Sequence, residues 1–317
     1  MDHHGHHGSE AALLGPGEWA TTILLLTALT SYAVAVVILH RRGISWPGGR
    51  TASWAGGLLC VGVALVGPLA ERAHDDFTVH MAGHVLLGML GPLLLASAAP
   101  ITLALRTLPV AEARPLARLL SSAPLAVLTN PFVAGVLNIG GLWVLYRTDL
   151  HALMQTDPVV HAVVHTHVLA AGYLFTVAVL GGPDPVRHRP SPPWRAAALV
   201  MAIAAHNVLA KSLYAFPPEG APVEQARAGA ELMYYAGMPV EIVLIFLVCR
   251  PWILPGPGGP ADGRVRGTPS RRGGTRGGVR RLPLPFRSSP TVGPRDGRGP
   301  APPPARTVGR RRPARSR

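Results

Sequence analysis

Seven long apolar runs, separated by short polar loops, make up most of the first 254 residues of this chain. Each run is close to the roughly 20 residues that an α-helix needs to cross the hydrocarbon core of a bilayer. We therefore predict an all-α polytopic membrane protein, folded as a bundle of seven transmembrane helices. The predicted spans cover residues 18–39, 54–70, 78–98, 126–146, 159–180, 194–214 and 228–253.

The basic residues of the short loops alternate between the two sides of the membrane. Three arginines follow each of spans one, three and five, whereas the loops on the other side hold at most two basic residues. Because cytoplasmic loops carry the excess of Lys and Arg, we predict an N-terminus outside the cell and a C-terminus in the cytoplasm. The arginines concerned are Arg41, Arg42, Arg50, Arg106, Arg114, Arg118, Arg187, Arg189 and Arg195.

The formal net charge of +14 would suggest a nucleic-acid partner if it were spread along the chain. All of this charge lies in residues 255–317, and the preceding residues are neutral overall. This Arg-, Pro- and Gly-rich tail is predicted to be disordered and to contact anionic membrane lipid, and no nucleic-acid partner is expected. The predicted parts are a His-rich extracytoplasmic N-terminus (1–17), a membrane domain (18–254) and the cytoplasmic tail (255–317).

Two pairs of histidines lie inside apolar spans, each pair one helical turn apart. His80 and His84 belong to span three, and His161 and His165 belong to span five. Residues four apart share a helix face, so each pair can offer two imidazoles to one ion. Ionisable side chains inside a membrane are costly, and their presence therefore indicates a functional site.

Further metal-binding side chains are predicted at the same depth as these pairs. In the predicted orientation the histidine pairs, His206 of span six and Met233 of span seven all lie in the outer half of the membrane. Imidazole suits copper, zinc and iron, and a thioether favours Cu(I). The sequence thus predicts a copper site among spans three, five, six and seven. The predicted ligands are His80, His84, His161, His165, His206 and Met233.

Other roles for these residues stay open. The histidines could instead pack between helices or relay protons. Glu241 shares a helix face with Met233, and it is a proton acceptor, a structural hydrogen-bonding group or the partner that orients a ligand histidine. The HHGHH tract at positions 3–7 could capture metal ions outside. No nucleotide-binding or nucleophile-elbow motif is present in the sequence.

The order and spacing of several sequence blocks are more specific than any single block. With these blocks the chain resembles the bacterial CtaG-like (caa3-type) cytochrome c oxidase assembly factors over residues 18–253. It departs from the usual pattern at Glu224, where the family usually has Asp, and at Tyr234, where it usually has Trp. The blocks are His80-Met81-x-x-His84 before Pro92 and Pro100, His161 and His165 before Gly172-Tyr-Leu-Phe175, His206, and Glu224-Gln225 before Gly229, Met233 and Gly237.

The resemblance implies an assembly factor, not an enzyme, located in the cell membrane and needed to mature a haem–copper oxidase. A copper-related role is usually inferred for such proteins. We therefore expect the protein to take copper from an extracytoplasmic donor and to assist metallation of the oxidase catalytic subunit. Three alternatives stay open: a haem-binding membrane redox protein, because histidines on facing helices can ligate haem; a metal transporter, disfavoured by the apolar inner halves of spans three and five; and a metal-free assembly chaperone.

Overall fold

The computed structural model describes residues 15–182, 184 and 190–253, which form α-helices and two π-helical turns and contain no β-strand. The predicted all-α class is therefore confirmed for this part of the chain. The elements in chain order are α1 (Pro16–Arg41), α2 (Gly48–Leu65), α3 (Pro68–Arg72), α4 (Phe77–Val85), π1 (Leu86–Leu90), α5 (Gly91–Ser97), α6 (Pro100–Thr107), α7 (Val110–Leu120), α8 (Ala123–Leu128), α9 (Pro131–Gly135), π2 (Val136–Gly140), α10 (Gly141–Arg147), α11 (Leu150–Thr156), α12 (Pro158–Leu180), α13 (Pro192–Ala215) and α14 (Val223–Ile253).

Three sequence predictions fall on residues outside the described ranges. They concern the HHGHH tract at positions 3–7, the tail over 255–317, and the loop arginines Arg187 and Arg189. The metal capture proposed for the tract, the disorder of the tail and the contribution of these arginines to the orientation stay predictions.

Within the described ranges, five helical stretches are long and apolar enough to cross a membrane. They match predicted spans one, three, five, six and seven. Predicted span two corresponds to α2 and predicted span four to α8 through α10, and neither is among the five. The count of seven spans and the orientation of the termini therefore stay predictions. The five stretches are Gly17–Arg41, Phe77–Thr107, Pro158–Leu180, Pro192–Ala215 and Val223–Arg250.

The fourth predicted span is interrupted where the sequence reads Asn130-Pro131. The preceding helix ends at Leu128, and the Asn130 side chain then accepts hydrogen bonds from the backbone amides of Phe132 and Val133. Proline favours the first helical position because its missing N–H would have no partner there. A new helix therefore begins at Pro131 instead of a continuous helix running over 126–146.

The two helices that carry the histidine pairs begin with the same kind of cap. Asp76 accepts hydrogen bonds from the amides of the second and third residues of α4, and Asp157 does the same at α12. Such a cap stabilises a helix by about 0.5–2 kcal/mol. Each capping aspartate lies four residues before the first histidine of its pair, so both pairs occupy the second and third turns of a firmly started helix.

The segment from α4 through π1 to α5 lies at the centre of the bundle and packs against α2, α12 and α14. It approaches α12 very closely at Gly172, where an added Cβ would overlap the carbonyl oxygen of Gly88. Helix α13 packs along α14, and α9 and π2 pack against α12 and α13. Helix α1 contacts α2 and α6, and most of its surface is exposed. The central segment thus brings His80 and His84 against side chains from several helices.

Candidate metal centre

The two histidines of α4 are both buried and share Tyr146 as a ring neighbour, but their other partners differ. His80 Nε2 lies 3.1 Å from the hydroxyl oxygen of Tyr146, and the rings of His80 and His151 contact each other with centroids 5.1 Å apart. The ring of His84 faces that of His206, with centroids 6.4 Å apart. Both imidazoles lie inside the protein, and their partners could not be read from the spacing.

Helices α13 and α14 contribute a buried histidine–carboxylate pair. His206 Nδ1 lies 3.0 Å from Glu241 Oε1, and the two residues are only 3% and 7% exposed. When Glu241 is ionised, its carboxylate can only accept a hydrogen bond; Nδ1 then donates, and Nε2 is the ring nitrogen that remains for another partner. This geometry agrees with one of the roles considered for Glu241, the partner that orients a ligand histidine.

A small cavity of about 40 Å³ lies between the helices at this point. It is larger than the roughly 10–15 Å³ that one water molecule needs, so it has room for a small ion. Two glycines leave space for its imidazoles: a Cβ on Gly88 would lie 3.3 Å from His84 Cε1, and one on Gly237 would lie 3.2 Å from His206 Cε1. The residues with polar or sulfur atoms in the lining are His84, Met89, Asn138, Thr176, His206 and Glu241.

Three buried imidazole nitrogens in this region lack a hydrogen-bond partner among the described residues. They are the Nε2 atoms of His84, His151 and His206. A buried polar atom without a partner costs about 1–3 kcal/mol, so each such atom calls for a ligand or a bound water. Two of the three belong to residues that line the same cavity, which makes the space between His84 and His206 the best candidate for an ion.

The pair on α12 forms a second group near the surface. The ring of His161 stacks between those of His74 and His165, with centroid distances of 5.1 Å and 4.1 Å. His165 Nδ1 lies 2.9 Å from the backbone oxygen of His161. His74 is exposed, and His161 and His165 are partly exposed. We call this group the outer cluster, and the group of His84, His206 and Glu241 around the cavity the inner cluster.

In the structure the six predicted ligands have different nearest partners. His84 and His206 belong to the inner cluster, His161 and His165 belong to the outer cluster, and His80 contacts Tyr146 and His151 instead. Met233 is fully buried and packs in the hydrophobic core. Across the described part of the chain, His, Cys, Asp and Glu form no group of three or more arranged to hold a metal ion.

Two neighbours of His80 were not identified from the sequence. Tyr146 lies near the end of α10, and His151 lies in α11, between two predicted spans. His151 has no second histidine at helical spacing, so only the folding of α11 against α10 and α12 reveals its place. Burial lowers the pKa of His151. Its imidazole is therefore neutral at neutral pH, and a neutral imidazole is the form that binds metal ions.

The fold and the buried histidines define a multi-pass membrane protein with a polar cluster inside an apolar helical bundle. The family model described as cytochrome c oxidase caa3 assembly factor (Caa3_CtaG) matches residues 30–254, and the chain belongs to this family.

The chain is also similar to three mycobacterial proteins that are named only as uncharacterized. It is 36% identical over 170 residues to proteins of Mycobacterium bovis and Mycobacterium tuberculosis, which covers 51% of this chain. It is 33% identical over 166 residues, 49% of this chain, to a protein of Mycobacterium leprae. Each match covers 25% of the relative, so the chain spans about a quarter of the length of these proteins. No solved structure matches the chain.

Proposed function

We propose that this protein assists the assembly of a cytochrome c oxidase by binding copper near the outer face of the membrane and delivering it to the oxidase catalytic subunit. Copper is the cargo of the protein in this proposal, and no catalytic step is assigned to it. Membership of the caa3 assembly factor family supports the oxidase part of the proposal. The inner cluster supports the copper part.

The observation that carries the copper proposal is the pair of buried Nε2 atoms of His84 and His206 beside one cavity. Neither atom has a hydrogen-bond partner within the described ranges. Leaving both nitrogens without partners would cost about 2–6 kcal/mol, at about 1–3 kcal/mol each. A metal ion bound between them would remove this penalty, and imidazole is a suitable ligand for copper.

The ligand set also fits a carrier better than a permanent metal site. A structural zinc site is closed by four protein ligands. The described His, Cys, Asp and Glu residues form no such cage. A cargo ion held by few ligands can be exchanged with a donor and an acceptor, which delivery requires. In the proposal an extracytoplasmic donor supplies the ion from the side of the outer cluster.

Cavity size favours an ion over a haem group. Pockets that hold drug-sized organic ligands usually measure about 300–1,000 Å³. The space beside His84 and His206 measures about 40 Å³. A porphyrin bound between these two histidines would therefore require the helices to separate, whereas a single ion would not.

The decisive experiment removes the gene from its host and follows the oxidase. We expect oxidase that contains haem but is deficient in copper, with activity partly restored by excess copper in the medium. Complementation should succeed with the wild-type gene and fail with the His84→Ala/His206→Ala double variant. The readouts are oxidase activity, the copper-to-haem ratio of purified oxidase and the membrane level of each variant.

Other outcomes would select other functions. Copper-replete oxidase of normal activity in the deletion strain would contradict the proposal. An oxidase that lacks subunits, and that the double variant restores fully, would indicate a metal-free chaperone. A haem absorption band in the purified wild-type protein that the double variant loses would indicate a haem protein.

A further inference from the structure

Two π-helical turns border the cavity of the inner cluster. The turn π1 (Leu86–Leu90) contributes Met89 to the lining, and π2 (Val136–Gly140) contributes Asn138. Isolated π-turns inside α-helices are rare and occur frequently at functional sites. Two such turns border this one cavity, so its lining departs from regular α-helical geometry on two sides.

The turn π1 changes which residues of its helix face the cavity. Met89 follows His84 by five residues, and in a regular α-helix of 3.6 residues per turn two such positions point about 140° apart. A π-turn closes on the fifth residue instead of the fourth, so positions five apart come close to one face. His84 and Met89 accordingly line the same cavity.

Met89 also lies beside the other histidine of the inner cluster. A Cβ added to Gly237 would be 3.3 Å from Met89 Sδ and 3.2 Å from His206 Cε1. The thioether and the imidazole thus border the same small space above one glycine of α14. Three residues with potential ligand atoms, Met89, His84 and His206, therefore line one cavity.

We propose that Met89 is a thioether ligand of a Cu(I) site completed by His84 and His206, and that Glu241 positions His206 through its Nδ1 atom. This inference rests on the proposed copper function and specifies its ligands and oxidation state.

The donor set and the charge both favour Cu(I) over a divalent ion. Two imidazoles and one thioether form a soft, low-coordinate set, and thioether ligands select Cu(I). Zinc sites use four ligands or three with a water molecule. Glu241 is the acidic side chain in the cavity lining. One carboxylate balances the charge of a monovalent ion, whereas a divalent ion would leave a net charge in an apolar interior, where unbalanced charge is costly.

The test is a titration of the full-length, detergent-purified protein with Cu(I) under anaerobic, reducing conditions, in competition with a Cu(I)-specific chelator. The variants are Met89→Leu and the matched control Met233→Leu, which changes a buried methionine outside the cavity. Loss of an outer partner of a metal ligand already lowers affinity about 10–100-fold, so loss of Met89 as a direct ligand should lower it at least about tenfold. Met233→Leu should bind Cu(I) as the wild type does.

Copper-edge X-ray absorption of the same samples gives an independent readout. The wild type and Met233→Leu should show one sulfur scatterer together with imidazole nitrogens, and Met89→Leu should show nitrogen alone. Unchanged affinity and an unchanged sulfur signal in Met89→Leu would overturn the assignment of Met89 while leaving copper binding intact. Absence of Cu(I) binding to the wild type would overturn both this inference and the copper part of the proposed function.

Discussion

Helices α4 and α12 begin with the same sequence pattern, but their histidines have different surroundings. Each starts at a capping aspartate that is followed after four and eight residues by histidines: Asp76, His80 and His84 in one helix, and Asp157, His161 and His165 in the other. On α4 both histidines are buried. On α12 both are partly exposed, and their rings stack on each other.

The difference arises from what packs around each helix. Helix α4 packs against α14 and also contacts α2 and α3, so other chain segments surround its histidines. On α12 the same spacing leaves both histidines only partly covered, and His161 stacks on the exposed His74. Spacing therefore decides which side chains share a helix face, whereas the neighbouring helices decide whether those side chains are buried or partly exposed.

The largest expected effect on Cu(I) binding comes from replacing the two histidines of the inner cluster, with the two histidines of α12 as the comparison. His84→Ala/His206→Ala should abolish Cu(I) binding by the purified protein, because it removes both buried nitrogens beside the cavity. His161→Ala/His165→Ala should leave this binding in place, since neither residue lines the cavity. Copper content after gel filtration measures the binding of each double variant. A thermal unfolding curve shows whether each variant is folded. Loss of copper in the second double variant alone would reverse the assignment of the two clusters.

Substitution of Glu241 tests whether the inner cluster depends on an oriented histidine. Glu241→Leu removes the acceptor of the His206 Nδ1 proton, and Cu(I) affinity should fall about 10–100-fold. Glu241→Gln keeps an acceptor oxygen at nearly the same place, so its loss of Cu(I) affinity should be smaller. Competition titration with a chelator gives both affinities. Equal losses in the two variants would show that charge, not orientation, is the contribution of Glu241.

A methyl group added beside the cavity should have a smaller effect. A Cβ on Gly88 would lie 3.0 Å from Val168 Cγ1 and 3.3 Å from His84 Cε1. Gly88→Ala should therefore displace the imidazole, lower Cu(I) affinity and destabilise the protein by about 1–3 kcal/mol. Gly83→Ala is the matched control on α4, because its Cβ would meet only Leu69 Cδ2 at 3.8 Å. Titration should show unchanged Cu(I) affinity for the control, and thermal unfolding should show unchanged or slightly higher stability. A loss of Cu(I) affinity in both variants would count against the cavity as the metal site.

The smallest effect is expected at the other histidine of α4. Tyr146→Phe removes the hydroxyl next to His80 Nε2 and should reduce stability by about 0.5–1.5 kcal/mol. Cu(I) affinity should not change, since neither residue lines the cavity and the variant keeps the aromatic ring that contacts His84. Unfolding curves of Tyr146→Phe and of the exposed control Tyr235→Phe measure the difference. A loss of Cu(I) affinity in Tyr146→Phe would extend the metal site to His80.

Much of the fold was predictable because membrane spans follow from length and apolarity. The predicted third span, 78–98, nearly coincides with the helical run from Phe77 to Ser97. The break at Asn130 has a recognisable signal, an Asn-Pro pair that starts a new helix, but apolarity on both sides hid it. The two π-turns were not predicted from the sequence.

The candidate site was predictable only in part. The i, i+4 spacing identified His80, His84, His161 and His165 as unusual membrane residues, and equal depth added His206. The division of these residues into two clusters could not be predicted, because it depends on which helices surround α4 and α12. Met89 was missed because regular helical geometry places it away from His84.

The sequence by itself determined an all-α membrane protein, helix starts fixed by aspartate caps, and a concentration of imidazoles inside apolar helices, because these depend on composition and on contacts within one helix. Only the tertiary structure decided that His84, His206, Glu241 and Met89 border one cavity while His161 and His165 stack near the surface. Those relations join residues up to 157 positions apart, and they depend on the packing of α13 and α14 beside α4 and on a π-turn that redirects one side chain.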